Sequence, residues 1–234
     1  MDEWYRFEAG HLFITGLQAL VRLLLAQSYR DHLAGFNTAG FVSGYRGSPL
    51  GGLDRELWRA QKHLDAAQIK FQPGLNEDLA ATSIWGTQQT ALFPGAKYDG
   101  VFSLWYGKGP GVDRSGDAFK HGNAAGTSAR GGVLVVAGDD HTCKSSSLPH
   151  QSEYAFVDAM IPVLNPSDVN EIVELGLLGF AMSRFSGCWI GLKVTQETAD
   201  ATQTISLKPQ DLKIVTPPFA LPPGGLNIRW PDPP

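Results

Sequence analysis

The stretch FQPGLNEDLAATSIWGTQQ, residues 71–89, sets a carboxylate where a short extended segment becomes a helix. Asn76 is placed to cap that helix, Glu77 and Asp78 fill its first turn, and an alanine-rich run follows. A carboxylate in a first turn steadies a helix through its dipole by a few tenths to about 1 kcal/mol. It can equally serve something bound above the helix start. Three other stretches put reactive side chains at similar junctions. GYRGSPLGG carries Arg46 and Ser48 beside Gly47 and Pro49, and WYGKGPGVD carries Lys108 and Asp113 around Gly109 and Gly111. GDDHTCKSS groups Asp139, Asp140 and His141 with Ser145 and Ser146. Glycine gathered where apolar runs begin or end suits tight turns or close approach of backbone to a ligand. Turn chemistry explains any one such cluster, and their recurrence at like junctions favours the ligand.

These residues need elements to position them. Helical spacing of apolar residues predicts a helix over 15–34, and further helices are expected over 53–67, 77–92, from GKGPGVD to about 125, over 151–159, and over 166–185 with Asn165 or Ser167 at its start. Short apolar runs predict strands over 39–45, 70–72, 101–106, 132–137, 161–164 and 189–194, GVLVVA being the clearest buried one. Strands alternating with helices indicate an α/β fold with a parallel sheet covered on both faces. Ligands then bind beyond the carboxyl ends of the strands, where all four loops converge. After Gln203 the chain is proline-rich and aperiodic, which predicts a domain over 1–203 and a linker over 204–234, wrapping the domain or leading to another in a longer polypeptide.

Other chemistries lack their signatures. The glycine spacing of GKGPGVD is not a dinucleotide fingerprint, and neither a phosphate-binding P-loop nor a nucleophile elbow occurs. Asp139, Asp140 and His141 are neighbours on one loop and converge poorly on a metal ion, so solvated charges or ligand hydrogen bonds are the expected role. His121 is expected to pack or face solvent, and Trp85, Trp105 and Tyr106 to be core rather than an aryl pocket. Cys143 and Cys188 are too few for a disulfide framework or an iron–sulfur cluster. A net charge of −4 points away from nucleic acid and anionic membranes, and no run is long enough to span a bilayer. A cytoplasmic location is the expectation.

From residue 10 onward, the chain resembles the pyrimidine-binding domain of thiamine-diphosphate-dependent 2-oxoacid:ferredoxin oxidoreductases, in particular the large fused indolepyruvate ferredoxin oxidoreductase type. The stretches that carry the resemblance are TGLQALVRL, NTAGFVSGYRGSPLGGLD, FQPGLNEDLAATSIWGTQQ, GKGPGVDRSGDAFKHGNAAG, VVAGDDHTCKSSSLPHQSE, IPVLNPSD and LPPGGLNIRWPDPP. It implies a three-layer α/β/α thiamine-diphosphate-binding fold. By its Asn-Glu-Asp run, Glu77 takes the position of the glutamate that exchanges a proton with N1′ of the cofactor's aminopyrimidine, while the cofactor carries the carbanion chemistry. Desolvation would favour that carboxyl neutral, and the helix start would favour it charged. Ser48 matches the hydroxyl that reaches the substrate carboxylate, with Arg46 and Lys108 as further substrate contacts. Gly47, Pro49, Gly109, Gly111 and Asp113 match the loops flanking the cofactor, and Ser145 and Ser146 another loop at the same edge.

The resemblance implies oxidative decarboxylation of a 2-oxoacid, with indolepyruvate or another arylpyruvate among the candidates. Electrons would pass to ferredoxin or a similar carrier, and an acyl-CoA would form from coenzyme A. The signature that holds diphosphate and Mg²⁺ is missing here, as are cysteines for 4Fe-4S clusters. Those parts are expected in other domains or partner chains, with this chain inactive alone, a diphosphate-binding domain docking on an exposed apolar patch, and the complete enzyme a dimer. The alternatives are a non-catalytic α/β interaction domain and part of a non-oxidative thiamine-dependent decarboxylase or transferase.

Overall fold

A computed structural model describes residues 2–228 apart from Glu8, Ala9, Ser145, Leu207 and Gly224. A short ribbon strand, β1 (Leu12–Thr15), leads into α1 (Gly16–Leu33). Thr15 and Gln18 cap α1 reciprocally, each side chain bonding the other's backbone N–H, which satisfies two donors the helix start leaves open. The sheet then opens with β2 (Thr38–Gly44), followed by α2 (Leu53–Arg59), α3 (Gln61–Ala66) and β3 (Ile69–Phe71). Next come α4 (Glu77–Gln88), β4 (Gly100–Lys108), α5 (Gly109–Arg114), α6 (Gly116–Ala125) and β5 (Val133–Asp139). The domain continues through α7 (Glu153–Asp158), β6 (Val163–Leu164), α8 (Val169–Ser186), β7 (Ile190–Thr195), α9 (Gln196–Asp200) and β8 (Thr202–Ile205).

Six strands form one parallel sheet in the order β3-β2-β4-β5-β7-β6. Alternate residues of β5 go to opposite faces. Leu134 and Val136 pack with α1, α2 and α8, whereas Val133, Val135 and Ala137 pack with α4 to α7. The architecture is therefore three-layered, α/β/α, as the alternation of elements implied. The strand order reverses between β2 and β4, since β2 leads outward to β3 and the chain then crosses to β4. A crevice at the carboxyl ends of those two strands is where such sheets take ligands.

Several boundaries differ from the sequence reading. The helix expected over 53–67 breaks at Ala60, and that expected from GKGPGVD to 125 breaks at Ser115. The cap of α8 is Asp168, whose carboxylate accepts from the Glu171 N–H at 2.8 Å, in place of Asn165 or Ser167. β1 and β8 pair antiparallel as a separate ribbon, so the boundary placed after Gln203 falls inside a strand. Beyond it the tail touches the domain: Arg30 donates to the Leu212 carbonyl at 2.9 Å, and Asn227 to the Arg184 carbonyl at 2.8 Å.

Candidate active site

Glu77 reaches the carboxyl edge of the sheet because pairing with β2 continues past the end of β3. Gln72 N–H donates to the Val42 carbonyl and Gly74 N–H to the Gly44 carbonyl, both at 2.9 Å. The Asn76 side chain accepts from the Leu79 N–H at 2.8 Å and starts α4 at Glu77. The Glu77 carbonyl accepts from the Trp105 indole at 2.9 Å, and Trp105 is itself fully buried. The Glu77 side chain lies half-buried over α5, where a Cβ on Gly111 would come within 2.6 Å of its Cγ and 2.8 Å of Oε1. Only glycine leaves that room. No described residue donates a hydrogen bond to the carboxyl. Leu75 and Leu79, on either side of the helix start, are 87% and 48% exposed.

The Ser48 turn folds across the ends of β4 and β5. Tyr45 N–H donates to the Tyr106 carbonyl at 3.0 Å, and Pro49 and Leu50 lie so close over Gly138 that a Cβ there would be 2.9 and 2.8 Å from them. Gly47 rests on the Lys108 stem, its Cβ position 2.8 Å from Cδ, and Lys108 Nζ donates to Ser146 Oγ at 3.3 Å. Gly47, Ser48, Pro49 and Lys108 thus share one edge with Glu77, with Ser48 half-buried and Arg46 exposed at its rim. Beneath them the Tyr106 hydroxyl donates to Asp54 at 2.6 Å. Desolvation first, and the Asp54 hydrogen bond and charge second, push that phenol far above its usual range, so it stays protonated.

Asp113 and the loop after β5 form a second group. His150 Nε2 lies 2.9 Å from Asp113 Oδ2 and its Nδ1 lies 3.6 Å from Asp139 Oδ1. Asp139 and Asp140 are not solvated loop charges: they are 0% and 2% exposed and organise the loop itself. Asp139 accepts from the Ser152 N–H at 2.9 Å and from its hydroxyl, and Asp140 accepts from the Lys144 N–H at 3.0 Å. Buried carboxylates need such donors. Lys193, 3.8 Å from Asp139, donates to Glu153 at 2.6 Å. Desolvation pushes the Glu153 carboxyl up, but the Lys193 hydrogen bond, the helix backbone and the lysine charge together hold it below its ordinary value.

Among the described residues no group of three or more His, Cys, Asp or Glu is placed to hold a metal. His121 is exposed, 3.5 Å from Asp117 and stacked on Trp85, with ring centroids 6.1 Å apart. Trp105 and Tyr106 belong to the two cores. Ser145 lies outside the described residues. Sequence reasoning missed three contributors: Trp105 as the anchor of Glu77, His150, and Ser152. The PHQSE run after the GDD loop was the only signal for His150 and Ser152, and Trp105 had none, because each contact spans at least 13 residues of chain.

No family profile matches the chain. It is 26% identical over 188 residues to the indolepyruvate oxidoreductase subunit IorA of Methanothermobacter thermautotrophicus, covering 80% of this chain and 26% of that protein. The IorA subunit of Methanothermobacter marburgensis is 27% identical over 172 residues, covering 74% and 24%. Among solved structures, a 2-oxoglutarate:ferredoxin oxidoreductase from Magnetococcus marinus, with 2-oxoglutarate, coenzyme A and succinyl-CoA bound, superposes with a TM-score of 0.65 at 19% identity, covering 88% of this chain and 33% of that one. The chain spans about a quarter of the length of these curated relatives. The resemblance read from the motifs therefore holds: the relatives are 2-oxoacid oxidoreductase subunits, and the fold is shared with an oxidoreductase of the ferredoxin-linked type.

Proposed function

We propose that this chain supplies the aminopyrimidine-binding half of a thiamine-diphosphate-dependent 2-oxoacid:ferredoxin oxidoreductase, with Glu77 as its catalytic carboxyl. One observation carries the reading. Glu77 stands at the switch-point edge, its backbone fixed by a buried tryptophan, its carboxyl half-buried over Gly111 and supplied with no donor by any described residue. A carboxyl so placed fits the N1′ side of an aminopyrimidine, a ring nitrogen that would accept or return the carboxyl's proton where no described residue is its partner. When bound, thiamine diphosphate supplies the nucleophilic carbon and the electron sink for decarboxylating a 2-oxoacid.

Glu77 then holds or releases a proton at N1′, at a fixed point set by Asn76 and Trp105. Gly109 and Gly111, whose Cβ positions are taken up by His150 and Glu77, would flank the ring by backbone alone, with Gly47, Pro49 and Asp113 on the loops to either side. Ser48 and Lys108 bind the substrate carboxylate, the lysine as a charge steered by Ser146 and the serine as a hydroxyl donor, and Arg46 guards the rim. A diphosphate-binding domain, holding Mg²⁺, docks over exposed Leu75 and Leu79 and excludes water from the crevice. Clusters of the 4Fe-4S type, ferredoxin and coenzyme A belong to the complete enzyme. The substrate is an arylpyruvate such as indolepyruvate, the class named for the curated relatives.

Turnover of Glu77→Gln in the complete enzyme tests this reading. The amide cannot exchange the proton, so 2-oxoacid-dependent reduction of a carrier is expected to fall by about 100-fold or more. Equal turnover of the two forms would return the chain to the role of a non-catalytic interaction domain.

A further inference from the structure

We infer that His150 is a positioning residue, which locks the start of α5 in the place that Glu77 packs against; this rests on the reading of Glu77 given above. The start of α5 is poorly held by its own sequence. The Lys108 side chain, at its N-cap position, makes no cap hydrogen bond. Two side chains from elsewhere occupy its glycines instead. Glu77 fills the space at Gly111, and the His150 ring fills that at Gly109, where a Cβ would lie 2.0 Å from Cγ and 2.1 Å from Nδ1. The same ring is bound to Asp113 one turn further on, at 2.9 Å, so it grips the helix at both ends of its first turn.

His150 is held from behind. Its Nδ1 is buried without a hydrogen bond and lies 3.6 Å from Asp139 Oδ1, while Asp139 is clasped to Ser152 and lies 3.8 Å from buried Lys193. The ring is therefore wedged between the rigid end of β5 and the helix start. Both nitrogens face carboxylates of this chain, which makes the imidazole a strut and leaves it no direct part in the chemistry. Moving it would free Gly109 and Gly111 together, and with them the surface that fixes the Glu77 carboxyl.

The test uses the complete enzyme with His150→Ala, His150→Gln, Gly109→Ala and the double variant Gly109→Ala/His150→Ala. The glutamine amide can still reach Asp113, and alanine cannot. Amide hydrogen exchange in residues 108–115 is expected to quicken about tenfold or more in His150→Ala, with the rest of the chain within about twofold, and to return in His150→Gln. Turnover is expected to fall about tenfold with KM for the 2-oxoacid little changed, since positioning is lost and substrate contacts are not. Gly109→Ala expels the ring, so the double variant should be no worse than the more damaged single one. Unchanged exchange over 108–115, a uniform rise across the chain, failure of His150→Gln to recover, or additive losses in the double variant would each overturn the inference. The exchange measurement does not require Glu77 to be catalytic, so it stands even if Glu77→Gln keeps full turnover.

Discussion

At the scale of single residues, the site depends on small neighbours being small and one large neighbour being aromatic. Gly111→Ala would drive a methyl into the Glu77 side chain, whose Cγ is 2.6 Å from the Cβ position. Turnover is expected to fall about tenfold or more from that displacement, with thermal unfolding shifted only slightly. Trp105→Phe removes the donor to the Glu77 carbonyl and opens space beside Phe119, whose ring lies 4.9 Å away. A stability loss of about 1–3 kcal/mol by chemical denaturation is expected, together with reduced turnover. The helix start at Glu77 was legible in the sequence because Asn76 and the two acids are local signals. The tryptophan anchor was not, because it comes from 28 residues away and indole carries no mark of its acceptor.

At the scale of elements, a pair of charged groups braces the helices on each face of the sheet. Asp31 of α1 receives both Nη1 and Nη2 of Arg184 on α8, at 2.6 and 2.7 Å, and also the Thr38 hydroxyl at 2.7 Å. Asp31→Ala strands a mostly buried guanidinium, and a loss of about 3–5 kcal/mol in urea or guanidinium unfolding is expected. On the other side, Glu153 of α7 holds Lys193 of β7. The folded carboxyl binds its proton more weakly than the unfolded one, so this contribution is present above the ordinary glutamate value of 4.5 and fades as pH falls below it. Glu153→Gln should therefore flatten the acid limb of a stability–pH curve and leave its slope near neutrality unchanged; a steeper acid limb would contradict the assignment.

The buried strands were readable by composition, as the β-branched run of β5 illustrates, and the carboxyl-edge loops followed from topology. β1 and β8 were not readable, since each has four residues and each finds its partner about 190 positions away. Likewise, the break at Ala60 follows no proline or glycine, because the turn is set by packing of Leu57 and Leu64 into the same core.

At the scale of the whole molecule, the Glu77 edge is expected to form a closed site only when a second domain docks on it. Leu75, 87% exposed beside the start of α4, is the apolar residue most directly placed to meet that domain. Leu75→Glu is expected to weaken thiamine diphosphate binding about tenfold or more in a calorimetric titration of the complete enzyme, with the thermal stability of this domain little altered. The three glycine-rich loops legible in the sequence do meet at one edge, as the parallel order of β2, β4 and β5 requires. What the sequence left open was how they are held there: Lys108 under Gly47, His150 against Gly109, Glu77 over Gly111. Each is a contact between loops that follow different strands.

The most direct test of Glu77 couples its carboxyl to the one ring atom it is assigned to. Turnover would be compared for wild type and Glu77→Gln, each with thiamine diphosphate and with an analogue in which carbon replaces N1′. In wild type, loss of N1′ should lower turnover by about 100-fold or more, whereas in Glu77→Gln the same replacement should cost little further, because the interaction is already gone. If Glu77→Gln remains as sensitive as wild type to removal of N1′, the glutamate does not act at that nitrogen and the assignment is wrong.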